Sequence, residues 1–158
     1  MWALIGPQAR VPITGNHDRR ILTGVMNIRT GDYLDFAAAE FHQEHFRKIL
    51  HAIRRHWRGW HIVLFLDRHT PHKAGASRQL ARELNIQLRW LPKACSELNV
   101  LDHLWRHVKD LISANEPAPN VYATVERARR EIRQMSPKER LRKAGVLSKD
   151  VWLADVLI

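Results

Sequence analysis

The stretch His61-Ile-Val-Leu-Phe-Leu-Asp67 decides the fold. Ile62–Leu66 is apolar without alternation, the pattern of a strand buried on both faces of a layered sheet. An acid closes it. In an open α/β sheet, ligands bind beyond the carboxyl ends of the strands, and Asp67 stands at that end. A carboxylate partly withdrawn from water is disfavoured in its charged form unless a cation lies close, and a metal ion is one remedy. Capping of the next loop, or pairing with Arg68, would explain the same residue equally well.

Working outward, Ala74 to Leu84 reads as a short basic helix, and Ile86 to Trp90 (IQLRW) alternates as a strand should, with Leu91-Pro92 ending it. On the amino-terminal side, Phe46, Ile49, Leu50, Ile53 and Trp57 make one apolar helical stripe. Before it, residues 21–28 (ILTGVMNI) and Tyr33–Ala37 flank the turn signal Arg29-Thr30-Gly31-Asp32, which predicts a hairpin. Further on, Asn99 to Ile112 carries Leu101, Leu104, Trp105, Val108 and Ile112 on one side of a helix. Pro117 and Pro119 break the chain. Val121, Val125, Ala128, Ile132 and Met135 then space a strongly basic helix that Pro137 ends, and the last twenty residues have a further helical tendency and an apolar tail. The order β-β-α-β-α-β-α-α is that of an α/β layered sheet.

Composition narrows the function. The chain has 158 residues, enough for one domain with a real core. Lys plus Arg is 26 against 16 Asp plus Glu, a formal charge of +10. So basic a chain repels itself unless it meets a polyanion, and nucleic acid is the commonest one; a basic solvated surface is the plainer alternative. The longest apolar run is too short to span a bilayer. No charged stretch followed by an apolar core and a cleavage site is read near Met1, so no secretion signal is expected, and the one cysteine, Cys95, excludes an internal disulfide and a multi-cysteine zinc site. The expected location is the cytoplasm, with no membrane partner.

Asp102 falls in the first turn of the third helix, where an acid also stabilises the helix dipole. Its position three residues before Trp105 puts it at the margin of the apolar stripe, able to face the sheet edge. The 34 residues between Asp67 and Asp102 (68–101) hold one helix and one strand.

Here the chain resembles a known family. Leu64-Phe-Leu-Asp-Arg-His-Thr-Pro-His-Lys-Ala74, then Leu91-Pro-Lys-Ala-Cys-Ser-Glu-Leu-Asn-Val-Leu-Asp-His-Leu-Trp105 with Lys109, is similar to the mariner-type insertion-sequence transposases of the DDE/D superfamily. Their pattern is strand-Asp-Asn, a downstream His, Leu-Pro, Ser-Pro-x-Leu-Asn-Pro, an acid, and Trp with Lys four positions on. Trp2, Gly6, Val11-Pro12 and the hairpin glycines Gly24 and Gly31 extend the likeness over residues 2–115. The chain departs from the pattern at Arg68, at Cys95-Ser96 and at Val100.

The resemblance implies an RNase H-like (retroviral-integrase-like) mixed sheet with flanking helices, and metal-dependent strand cleavage and transfer at transposon ends. Asp67 and Asp102 would be the catalytic and metal-binding acids, for two Mg²⁺ or Mn²⁺ ions in the complete family site. His72 would touch the scissile phosphate or support the Asp67 loop, and Asn99 would brace the turn before Asp102. The family's first Asp ends a first strand that precedes the Trp matched to Trp2. Asp18 and Asp32 lie in the wrong context to replace it. The expectation is therefore a sheet lacking its first strand, and a chain that is a catalytic-domain fragment inactive alone.

That reading divides the chain into a partial catalytic domain, 1–115, and a basic helical extension, 116–158. Its partners would be transposon ends and target DNA, with a homodimer or a complementing upstream transposase fragment. Arg78 and Arg82 on one helix, Lys109 on the next, and Arg127, Arg129, Arg130 and Arg133 on the fourth would track the DNA backbone, a solvated surface being the alternative for each. A non-enzymatic nucleic-acid-binding or assembly module is the competing function. The pair His103 and His107 has zinc-binding spacing but no Glu to complete that motif, and reads as surface; Cys95 reads as structural.

Overall fold

The computed structural model describes residues 2–5, 9–10, 19–114 and 118–153. The chain runs β1 (Trp2–Ile5), β2 (Ala9–Arg10), β3 (Ile21–Asn27), β4 (Tyr33–Ala38), α1 (Gln43–His56), β5 (Ile62–Leu66), α2 (Thr70–Lys73), α3 (Gly75–Glu83), β6 (Ile86–Trp90), a 3₁₀ turn (Ser96–Leu98), α4 (Val100–Ser113), α5 (Val121–Gln134) and α6 (Pro137–Lys143). Among the described residues no helix is long and apolar enough to cross a membrane.

The expected run Ile62–Leu66 is a central strand, parallel to β6 and to β1. β3 pairs antiparallel with β4 on one edge and with β1 and then β2 on the other. The sheet thus reads β4-β3-β1-β5-β6, with β2 continuing the line of β1. The hairpin expected from residues 21–37 is β3–β4, in register from Ile21↔Ala38 to Met26↔Tyr33.

The expected gap in the middle of the sheet is filled. β1 lies between β3 and β5, with Ala3 opposite both Asn27 and Leu64. An unpaired row of amides and carbonyls between two buried strands would be costly, and the nearest stretch of extended chain satisfies it. This strand is Trp-Ala-Leu-Ile and contributes no acid.

Helices cover both faces. Alternate residues of β3 and β5 go to opposite sides, the reason both strands are buried along almost their whole length. Ile21, Val25, Ile62, Leu64 and Leu66 pack against Phe46, Ile49, Leu50 and Ile53 of α1 and Ala81 of α3. Leu22, Met26 and Tyr33 pack on the other side against Leu101, Leu104, Trp105 and Val108 of α4 and Val121, Val125, Ala128 and Ile132 of α5. The basic fourth helix therefore shares a core with the sheet, and the carboxyl-terminal Leu141 of α6, with Val146 and Leu153 beyond it, joins the same cluster. Residues 154–158, most of the expected apolar tail, lie outside the described residues.

Two details differ from the sequence expectations. The loop after Asp67 contains the short helix α2, with Pro71 in its first turn, where a missing amide hydrogen costs nothing. Pro137 begins α6 rather than ending the helix before it; Ser136 caps α6 by accepting from Glu139 N at 3.1 Å.

Candidate active site at the carboxyl ends of the central strands

Asp67 follows β5 directly and is held firmly. Its Oδ1 accepts from His69 N at 3.0 Å and from His72 Nδ1 at 2.8 Å. The second ring contact is to Asp67 O at 3.2 Å. His72 comes from α2, is buried, and packs its ring against Phe46 and Phe41 at 4.6 and 5.3 Å between centroids. Burial raises the Asp67 pKa, but the His72 hydrogen bond and charge and the His69 amide outweigh it, so the carboxyl stays below its ordinary value. His72 Nδ1 thus lies against the carboxylate and the carbonyl oxygen of Asp67.

Asp102 arrives on α4. Asn99, also buried, is the N-cap: its Oδ1 accepts from Leu101 N at 3.1 Å and its carbonyl oxygen from Asp102 N at 2.9 Å. Those bonds fix the first turn that carries Asp102. Burial raises the Asp102 pKa; the positive charges of Lys109, His103 and Arg106 lower it in part, and the negative charge of Asp67 raises it again. The two carboxylates therefore sense one another, and their surroundings push their pKa values apart. A bound cation would relieve that repulsion.

Both acids open into one hollow of about 340 Å³, with Arg68, Lys73, Lys93 and Cys95 also on its wall. The bonds from His69 N and His72 Nδ1 both fall on Oδ1 of Asp67. The donor set fits a hard divalent ion held by one or two carboxylates and completed by water. Among the described residues no group of three His, Cys, Asp or Glu gathers as a metal cluster. Asp32 is used elsewhere, accepting from Trp57 Nε1 at 3.0 Å and meeting His56 Nε2 at 2.7 Å. Asp18 lies outside the described residues.

The basic residues separate. Lys109 sits two turns after Asp102 on α4, and its charge reaches that acid. Arg78 is exposed on α3 at a neighbouring hollow, and Arg82 donates to Gln79 Oε1 at 2.9 Å. Arg130 is exposed on α5, whereas Arg127 is half-buried. Arg129 and Arg133 are a correction: both turn to Asp35 of β4, with Arg129 Nε at 2.8 Å and Arg133 Nη2 at 2.7 Å from Oδ1. The Asp35 side chain has no exposed surface, so this is a buried clamp between helix and sheet. Periodicity could not find it, because the partners stand 94 and 98 positions apart. Arg140 is likewise structural, donating to Gly31 O at 2.8 Å. His103 contacts Glu97 O at 3.3 Å.

Comparison with known proteins bears on the fold and the family. No curated protein sequence matches the chain. Among solved structures, the catalytic domain of Mos1 mariner transposase is similar over 90% of this chain and 74% of that one, at 12% identity and TM-score 0.71. The same domain with Raltegravir and Mn aligns over 90% and 75%, at 12% identity and TM-score 0.73. The catalytic core domain of BIV integrase aligns over 94% and 84%, at 12% identity and TM-score 0.53. These likenesses establish the RNase H-like fold. The sequence profile of the DDE superfamily endonuclease family matches residues 1–124, most of the chain. The chain belongs to the DDE superfamily endonucleases.

Proposed function

We propose that the chain is a catalytic-domain part of a cut-and-paste DNA transposase, carrying Asp67 and Asp102 of a metal-dependent site that cleaves and joins strands at transposon ends. The observation that carries this reading is the convergence of the two acids on one hollow beyond β5. Asp67, braced by His72, would present Oδ2 to Mg²⁺ or Mn²⁺, and Asp102, oriented by the Asn99 cap, would share the ion. Bound there, the metal would supply Lewis-acid stabilisation of the phosphate and of the attacking oxygen. Arg68, Lys73 and Lys93 on the wall, with Lys109 near Asp102, would hold the DNA phosphates. Structures of the Mos1 catalytic domain with Mn and with Mg support the choice of ion, and a Mos1 strand transfer complex supports the reaction. A third carboxylate would come from a second copy or an upstream transposase segment, and on this reading the isolated chain would be inactive. We place its action in the cytoplasm, in line with its single cysteine.

The test is calorimetric and enzymatic. Manganese should bind the wild type and bind more weakly to Asp102→Ala; equal binding would reduce Asp102 to a helix cap. Supercoiled plasmid should stay intact with the isolated chain and manganese. Nicking that disappears in Asp67→Asn would overturn the inactivity. The excess of positive charge supports a second reading, a DNA-binding module without chemistry. That module would bind DNA equally well in EDTA and take up no manganese at Asp67 and Asp102.

A further inference from the structure

A second hollow of about 380 Å³ adjoins the acidic one. Arg68, Lys73, Arg78 and Trp90 line it, and Arg68 and Lys73 line both. Its volume lies in the range of small-ligand sites. The three cations are exposed and meet no carboxylate among the described residues; Arg68 spends only Nε, on Leu91 O at 3.3 Å. Trp90 is the last residue of the outermost strand β6, opposite Leu66, the residue that precedes Asp67. Part of its indole packs on the core, and part lines the hollow.

We infer that this hollow binds one unpaired nucleotide of single-stranded DNA, its base stacked on Trp90 and its flanking phosphates on Arg68, Lys73 and Arg78. An aromatic face beside several unpaired cations is the combination that single strands use, because every base has a π-face and every linkage a charge. A duplex would use the cations alone, since its bases are stacked inside. The shared Arg68 and Lys73 set the register: the stacked nucleotide is a near neighbour of the phosphate held at the acids. This inference rests on the proposed DNA-cleaving role and specifies the state of the strand beside the cut.

The test is fluorescence anisotropy with the full chain and three labelled probes, a short oligothymidine, an abasic strand of equal length and a hairpin duplex. Oligothymidine should bind about tenfold more tightly than the abasic strand, the range expected of one base stacked on an aromatic ring. Trp90→Leu should remove that difference while leaving duplex affinity within about twofold, and Trp90→Phe should keep it. Arg78→Ala should reduce the salt slope on oligothymidine by about one. Equal wild-type affinity for oligothymidine and the abasic strand overturns the inference without any variant, so a misfolded Trp90→Leu does not shield it. Equal losses on single strand and duplex in Trp90→Leu overturn it too. A wild-type chain that binds none of the three probes overturns the DNA-cleaving role as well; duplex binding without base preference overturns the stacked nucleotide only.

Discussion

Replacing Arg129 by Ala should destabilise the fold far more than its place on a basic helix suggests. Asp35 has no exposed side-chain surface, Arg129 is 22% exposed and Arg133 is 56% exposed. Both cations share Oδ1, and Oδ2 is buried with no partner. Removing Arg129 leaves a buried carboxylate facing one largely solvated arginine. Breaking a buried pair in this way costs about 3–5 kcal/mol. The partial exposure of Arg129 points to the lower figure, about 3 kcal/mol. At about 2–4 °C per kcal/mol for a chain of this size, the melting temperature should fall by about 6–12 °C. Arg133→Ala, which removes the more exposed partner, should cost under about 1 kcal/mol. Urea unfolding monitored by circular dichroism measures both, and the DNA salt slope of the folded variants supplies the control. Arg130→Ala should lower that slope by about one while leaving stability unchanged. An Arg129→Ala protein that unfolds within about 0.5 kcal/mol of wild type would refute the clamp, since that is the range of ordinary surface substitutions.

Three further outcomes follow from the geometry. A Cβ on Gly24 would stand 2.8 Å from Trp105 Cζ2 and 3.0 Å from Tyr33 Cε2; Gly24→Ala should therefore cost ~1–3 kcal/mol by thermal melt, and an unchanged melt would mean the two buried rings can yield. His72→Asn should weaken manganese binding to Asp67 by about 10–100-fold with the fold retained, the size expected for a group that orients a ligand; equal affinity in titration calorimetry would exclude that role. Burial, and then the charge of Lys48, lower the His45 pKa from 6.5. The unfolded chain thus takes up the proton first as pH falls, so this residue withdraws stability below about pH 6.5. His45→Gln should flatten the loss of urea midpoint between about pH 7 and about pH 5, and parallel curves for the two proteins would rule the effect out.

The readable parts of the sequence were those whose cause is local. Ile62–Leu66 announced a two-faced strand because every residue of it must be apolar, and Phe46 to Trp57 announced α1 through its spacing. Asn99 was expected to brace the turn before Asp102, and the bonds it makes there lie within three positions. The hairpin was equally plain from Arg29-Thr30-Gly31-Asp32, where Gly31 takes a φ of +77°.

What escaped depended on partners far away in the chain. The arginines of α5 look alike along the helix, and only the fold shows that Arg129 and Arg133 meet Asp35. His72 was open to two roles, and only the fold shows its Nδ1 2.8 Å from the Asp67 carboxylate. Trp90 read as an alternating strand residue and became the wall of a cationic hollow only when α2 and α3 folded beside it. The sequence by itself determined the lineage and the central strand and singled out Asp67 and Asp102 as the candidate acids, because hydrophobic period and motif spacing are properties of neighbouring residues. Tertiary structure decided that Trp2–Ile5 completes the sheet, that the acids share one hollow and that the cations divide between scaffold and surface. Sheet pairing and ion pairing join segments tens of residues apart, and no local pattern encodes that proximity.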